Sequence, residues 1–258
     1  MCANEWSPVK LYNTIGAAPV VLICEHASFS LPRDLVSTAL DTATGNSHVA
    51  GDLGALAVAK SLSSRLNAPL VFGGVSRLIY DCNRPFSAPD CIPQKSEVFE
   101  IPFNAGLTLS QRQARYDLVH QPFHHAVGEL IRSQRNKVNG PVTVITIHSF
   151  TPQYNGHQRH VELGFLHGKN ADLSKITNEI EQKRGVYLSN LNEPYAASDG
   201  VTYTLDKHTG EEGVNGTMIE IRNDLIATDA SAEAMADHLA KTLNDAMLAL
   251  NYRLESVA

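Results

Sequence analysis

The sequence predicts a single α/β domain built on an open, mostly parallel sheet, and three observations carry that expectation. Short apolar runs rich in β-branched residues recur along the chain. The clearest is Val142–Ile147, with no charge in it and Gly140-Pro141 just before it. These runs alternate with segments of helical apolar period, as in βα units. Several of them end in ionisable residues, where open parallel sheets bind ligands. His148-Ser149 follows the clearest run and stands at the mouth of such a site, although a histidine there could equally be satisfied by a backbone carbonyl.

The chain has 258 residues, 43% hydrophobic and 19% charged, with a formal net charge of -6. That is enough for one domain with a substantial core. Mild acidity predicts no nucleic-acid partner, because such partners need a basic patch. No apolar run approaches the roughly 18 residues of a membrane span. The first residues show no basic segment leading into an apolar one, so the cytoplasm is the expected compartment. Cys2, Cys24, Cys82 and Cys91 have no C-x-x-C spacing, which argues against a zinc knuckle or redox dithiol. Cys24 and Cys82 read as small core residues.

Taken in order, residues 1–18 are an unpatterned lead-in. Pro19–Cys24 reads as a buried strand ending in Glu25-His26-Ala27-Ser28. Two ionisable groups directly after a buried strand are costly unless solvated, paired or metal-bound; a cap or surface turn is the plainer alternative. Residues 33–40 suggest a short helix. His48 and Asp52 lie four apart at the entry to a further helix reaching about Leu66, with Ala55, Leu56, Val58, Ala59 and Leu62 as its apolar face. On one helical face both could reach a metal, but Asp52 would equally complement the positive end of that helix. Pro69–Phe72 is a brief strand and Gly73-Gly74 a turn. Arg77–Pro85 reads as a second strand-to-loop passage, with Asp81, Asn83 and Arg84 close together. An arginine at such an end presents a planar fork suited to a carboxylate.

Residues 86–108 form a long loop, of the kind that covers or lines a site. A helix over about 110–137 follows, broken near Pro122. Its His120, His124 and His125 read as solvated or capping. After the His148 strand a polar loop runs to His160, and Val161–Leu166 alternates as a strand. Helix 171–184 and strand Val186–Leu188 make one more unit. Residues 190–216 are a second long loop, bearing Tyr195 and His208. Thr217–Arg222 is the last strand, with Glu220 and Arg222 on one side by period-two alternation. The two are either a structural ion pair, or a general base beside a substrate-binding arginine. An amphipathic helix over about 230–250 closes the chain.

His26, His148 and Glu220 thus stand near strand ends, with Asn83-Arg84 at another and Asp52 entering from a helix start. Two imidazoles and one carboxylate on separate elements are the ligand set of an open catalytic zinc site. There, a nearby carboxylate can take a proton from water and deliver it to a leaving nitrogen.

Glu25-His26-Ala27-Ser28, the run from His48 to Asp52, Ser76 to Pro85, His148 to Pro152, Asn192 to Tyr195 and Glu220 to Ile226 together resemble the N-formylglutamate amidohydrolase family. The resemblance extends from about Val20 to Ile226. It implies a zinc-peptidase-like (phosphorylase/hydrolase-like) fold: three α/β/α layers around a mixed, mostly parallel sheet, similar to carboxypeptidases and aspartoacylases. In those relatives an Asn-Arg pair after a strand grips the substrate carboxylate and a late Glu is the catalytic base; Asn83-Arg84 and Glu220 match by order and context. The carboxypeptidase H-x-x-E pair is absent, since Phe29 stands three residues after His26. The metal ligands expected here are therefore His26, His148 and Asp52, with His48 and Glu25 as alternatives to Asp52. Arg222 and Arg77 are further candidates for holding a carboxylate or polarising the carbonyl, and Ser149, Tyr195 and His208 are possible participants. Glu162 stands where a small residue is expected in close relatives.

The expected activity is zinc-dependent hydrolysis of a small N-acyl acidic amino acid such as N-formyl-L-glutamate, with another divalent metal possible. A small-peptide hydrolase and a metal-free binding module for an acidic metabolite are the rival readings.

Overall fold

The computed structural model describes residues 6–196, 199–210 and 214–255, with side chains through Leu250. Cys2, the start of the lead-in and parts of the 190–216 loop lie outside the described residues. The chain begins with strand β1 (Val9–Tyr12) and β2 (Val20–Cys24), a short helix α1 (Thr42–Gly45), helix α2 (Ala55–Leu66) and β3 (Leu70–Gly73). A small hairpin, β4 (Lys95–Ser96) with β5 (Phe99–Glu100), precedes helices α3 (Leu109–Arg115) and α4 (Gln121–Val138). Then come β6 (Val142–Phe150), the hairpin β7 (Gln153–Tyr154) with β8 (His157–Gln158), β9 (Leu163–Leu166) and α5 (Asp172–Arg184). Strand β10 (Ser189–Leu191), α6 (Tyr203–His208), β11 (Val214–Arg222) and α7 (Asp229–Glu255) complete it.

Seven strands form the main sheet in the order β1-β3-β2-β6-β11-β9-β10. The β3-β2-β6-β11 core is parallel, β10 is parallel to β9, and β1 and β9 join antiparallel to their neighbours. The sheet is therefore mixed and mostly parallel, with helices on both faces. Helices α2 and α7 cover one face, with α5 beside α7, and α4 and α6 cover the other. Central strands buried on both sides read as near-continuous apolar runs. That is why β2 reads Val-Val-Leu-Ile-Cys without a polar residue, all five of them buried. Leu22, Cys24, Ile145, Ile147, Ile219 and Ile221 face α2 and α7. Val21, Ile23, Val144 and Met218 face α4. Among the described residues no helix is long and apolar enough to cross a membrane.

Several local expectations fail for physical reasons. Residues 33–40 are turns, and the helix comes later, at Thr42–Gly45, capped by Asp41. Arg77–Pro85 is a series of tight turns instead of a strand. Its polar groups are satisfied locally, as where Asn83 N–H donates to Asp81 Oδ1 at 2.8 Å. Val186 and Leu188 are exposed and the strand is Ser189–Leu191, so the apolar pair misled the reading. The helix does not break at Pro122. A π-turn over Tyr116–His120 absorbs the missing N–H and carries the helical path into α4. That turn also swings His120 and His124 inward, and both are buried, not solvated.

Candidate active site

Register does the first part of the assembly. In the parallel pairing of β6 and β11, Glu220 lies directly beside His148. On the other flank of β6, β2 runs parallel with Ile23 beside Thr146, so Glu25 leaves β2 at the same level. Side chains of one parity then share a face, so Glu25, His148 and Glu220 converge on the α4 side at the carboxyl ends of the three central strands. Strand β6 runs two residues beyond His148, so this histidine is held by the sheet on both sides. Gly73 is needed here, because a β-carbon on it would come within 2.1 Å of the Glu25 carbonyl oxygen.

Loops supply the remaining groups. The Asp52 N–H donates to the His26 carbonyl at 2.9 Å, and Ser149 N–H donates to Asp52 Oδ2 at 3.3 Å. Ser149 Oγ donates to the Leu53 carbonyl at 2.8 Å, fixing the same turn. Asp52 thus precedes α2 and does not cap it. Its Oδ2 sits between two ring nitrogens, 2.9 Å from His148 Nδ1 and 3.4 Å from His26 Nδ1. Behind each ring stands another carboxylate: Asp81 Oδ1 at 2.7 Å from His26 Nε2, and Glu25 Oε2 at 3.1 Å from His148 Nε2. Arg77 Nη2 reaches Asp81 Oδ2 at 2.5 Å and its Nη1 lies 3.6 Å from Asp52 Oδ1. All of these except Arg77 are buried.

Such packing sets the protonation. Burial works against ionising Asp52, yet the charges and hydrogen bonds of His26 and His148 outweigh it and hold the carboxyl well below its ordinary range. Burial likewise opposes charge on His148, but Glu25 and Asp52 overcome it and raise its pKa well above the ordinary value. His26 is raised too, by Asp81 and Asp52 acting against burial and Arg77. Glu220 goes the other way: burial, aided by Asp52, pushes it up to about 7 despite the nearby His148.

The donor set fits a divalent cation. His26, Asp52 and His148 each offer one ligand atom, all within 4.8 Å of one another. Glu220 Oε2 is buried without a hydrogen-bond partner among the described residues, whereas His26 Nδ1 and His148 Nε2 face only the carboxylates of Asp52 at 3.4 Å and Glu25 at 3.1 Å. An orphaned polar atom is costly, and Glu220 lines the same chamber as His26, Asp52 and His148. Carboxylates behind the rings are the usual means of orienting imidazole ligands.

A chamber of about 110 Å³ is lined by His26, Asp52, His148, Glu220, Asn83 and Arg84 among others. It shares Asp52, Arg77, Arg84, Ser149 and Tyr195 with an outer vestibule of about 330 Å³. Asn83 uses its Oδ1 to accept Thr204 N–H at 2.9 Å and donates to the Val201 carbonyl, pinning the segment before α6 over the chamber. Arg84 donates from Nε to Asp90 at 2.8 Å and from Nη1 to the Asn83 and Gly200 carbonyls, and it still lines both spaces.

Other predicted residues lie elsewhere. His48 is bonded to Glu97 at 2.7 Å on the vestibule wall, away from the buried cluster. Arg222 is spent on Asp224 at 2.8 Å and Glu162 at 3.3 Å and lines neither space. Glu162 therefore braces that arginine and accepts Leu188 N–H. His208 stacks on His124 and lines neither the chamber nor the vestibule. In the sequence Asp81 falls in a polar site with Asn83 and Arg84 but carries no assigned role, and Arg159 escapes notice. Asp81 stood in the right motif, but its role needs the fold to bring it behind His26. Arg159 sits in a polar loop with no signal beyond the aromatic residues around it.

The profile of the N-formylglutamate amidohydrolase family matches residues 18–227. The chain belongs to that family. Its members are amidohydrolases, and the match spans every element that builds the chamber. A gene product of Agrobacterium tumefaciens of known crystal structure is 40% identical over 95% of this chain and 96% of its own, with a TM-score of 0.91. The N-formylglutamate amidohydrolase from Ralstonia eutropha shares 17% identity over 98% of this chain and 100% of its own, with a TM-score of 0.68, which shows a common fold. No curated protein matches the chain. In this amidohydrolase, then, the chamber at the carboxyl end of β2, β6 and β11 is the candidate active site.

Proposed function

We propose that the chain hydrolyses the amide bond of a small N-acyl acidic amino acid, N-formyl-L-glutamate above all, at a zinc or other divalent metal site. The observation that carries this reading is the buried His26–Asp52–His148 group, beside the buried carboxyl of Glu220. His26, Asp52 and His148 would hold the metal, with Asp81 and Glu25 steadying the two rings from behind. A bound divalent metal supplies Lewis-acid polarisation of a water molecule and of the amide carbonyl.

The chain's own groups do the rest. Glu220 takes a proton from water and passes it to the departing nitrogen; burial raises its pKa, which suits a group that must do both. The free edge of Arg84, with Asn83 beside it, holds the substrate's α-carboxylate so that the amide faces Glu220. Arg77 and the Tyr195 hydroxyl stand on the same wall as donors toward the carbonyl oxygen. An inner space of about 110 Å³ suits an acyl group of formyl size and favours a small substrate over a peptide. Ligand atoms of His26, Asp52 and His148 gathered within 4.8 Å of one another favour a metal-dependent hydrolase over a metal-free binder.

Elemental analysis of the purified protein and of His148→Ala tests this. About one zinc per chain in the parent, lost in the variant, together with release of formate from N-formyl-L-glutamate, is the expected result. A parent that binds no divalent metal even after reconstitution refutes it.

A further inference from the structure

Among the described residues, the vestibule holds one arginine that no acid answers. Arg77 is paired with Asp81, Arg84 with Asp90 and Lys95 with Glu100. The vestibule's acids are committed as well: Asp52 and Asp81 to the histidines, Asp90 to Arg84, and Glu97 to His48. Arg159 has no carboxylate within ion-pair distance among the described residues. Its guanidinium is held instead by three aromatic faces, 4.5 Å from the Tyr154 ring, 4.9 Å from Tyr195 and 5.6 Å from Phe150. The backbone fixes its base, since Arg159 N–H donates to the Pro152 carbonyl at 2.8 Å across the foot of the β7–β8 hairpin. Its Nη1 lies 3.4 Å from the Tyr195 hydroxyl, and Tyr195 is a wall of both the vestibule and the inner chamber.

A half-buried guanidinium clamped by its faces keeps its N–H edge for a ligand. Stacking also removes much of the side-chain entropy that binding would otherwise cost. Such an edge fits a carboxylate, which it can meet with two parallel hydrogen bonds.

We infer that Arg159 is the receptor for a second carboxylate on the substrate, and so sets a preference for diacids over monoacids. This rests on the proposed hydrolysis of N-acyl amino acids, in which Arg84 takes the α-carboxylate. Arg159 then takes the side-chain carboxylate, which lies in the vestibule while the scissile amide enters the chamber. Sequence likeness to a family does not separate glutamate from a neutral residue at this position; the unanswered charge does.

The test compares kcat/KM for N-formyl-L-glutamate and N-formyl-L-norvaline in the metal-loaded parent, Arg159→Met and Arg159→Lys. Methionine keeps an apolar stem against the three rings. One charge-assisted carboxylate contact corresponds to roughly a tenfold to hundredfold change. The glutamate-to-norvaline ratio is therefore expected to fall by about that factor in Arg159→Met, chiefly through KM, and to recover in part in Arg159→Lys. A ratio unchanged in Arg159→Met, or an equal loss on both substrates, overturns the inference. Calorimetry of glutarate and butyrate binding to the metal-free protein separates this inference from the reading beneath it. Glutarate binding that exceeds butyrate binding and is lost in Arg159→Met supports the receptor even if neither formyl substrate is cleaved. Equal binding of the two acids by the parent overturns it.

Discussion

Replacing Glu220 with Gln changes one oxygen to an amide and leaves the volume of the site unaltered, so its effects divide cleanly between chemistry and folding. An amide cannot accept the water proton. General-base removal costs on the order of 10²–10⁴ in rate, so kcat on N-formyl-L-glutamate should fall by at least about a hundredfold. Metal content should stay near the parental value, because Glu220 is outside the His26–Asp52–His148 group. Stability should move in the opposite direction to activity. The folded, metal-free protein raises Glu220 from 4.5 to about 7, chiefly by burial. A carboxyl with a raised folded pKa costs nothing at acid pH. It destabilises progressively as pH climbs from the unfolded value through the folded one, and the full cost is present above about pH 7. The difference corresponds to about 3 kcal/mol. Chelated Glu220→Gln should therefore unfold at higher denaturant than chelated parent at pH 8, with the gap closing toward pH 4. Parental activity in this variant would refute the role of Glu220 as base. A stability gap that does not depend on pH would refute the origin assigned to its raised pKa.

Three further outcomes follow from the same geometry. Asp81→Asn keeps an acceptor for His26 but removes the charge shared with Arg77. Zinc affinity should weaken about 10- to 100-fold in competition with a chromophoric chelator, and unchanged affinity would remove Asp81 from the site. His26 and His148, both raised by surrounding carboxylates, carry protons near neutrality, whereas ligating imidazoles must be neutral. Metal uptake at about pH 6.5 should therefore release protons, read by calorimetry in buffers of different ionisation enthalpy, and affinity should drop as pH falls; no buffer dependence would contradict the assigned ligands. His120 is buried between aromatic rings with neither nitrogen partnered, and burial lowers it to about 4. A histidine depressed in the fold costs stability only as pH drops below its unfolded value, so His120→Phe should gain roughly 1–2 kcal/mol on the parent between pH 7 and pH 5 in urea titrations.

The parts of the molecule legible in the sequence are those governed by one local rule. Parallel strands buried on both faces are rich in apolar and β-branched residues, so β2, β6 and β11 announced themselves, and a charged residue at such a strand end has to be explained by the fold. His26, His148 and Glu220 were visible for that reason. Neither the role of Asp81 nor Arg159 itself was visible, because what they do depends on partners 55 residues away at His26 and 36 residues away at Tyr195. Arg222 misled for the converse reason. It shares the parity of Glu220, but two steps further along the strand it has passed the chamber and meets Glu162 and Asp224. The buried His120 and His124 were misjudged because a π-turn changes the phase of the helix, and no period in the sequence marks it.

This division has a chemical consequence. Of the groups proposed to act on the amide, His148 and Glu220 stand on adjacent strands and His26 just after a third, where sheet hydrogen bonds and buried neighbours leave little freedom. Asp52 is bonded to two of these segments, through His26 and Ser149. Those proposed to grip the substrate, Arg84 and Arg159, stand on loops, each tethered to a second loop: Arg84 to the Gly200 carbonyl, Arg159 to Tyr195. Both tethers end in the segment between β10 and α6, and Asn83 is bound into that segment as well through Val201 and Thr204. Substitutions there should therefore alter KM for the acidic substrate while leaving metal content untouched. Substitutions at the ends of β2 and β6 should act through the metal, and those at Glu220 through kcat.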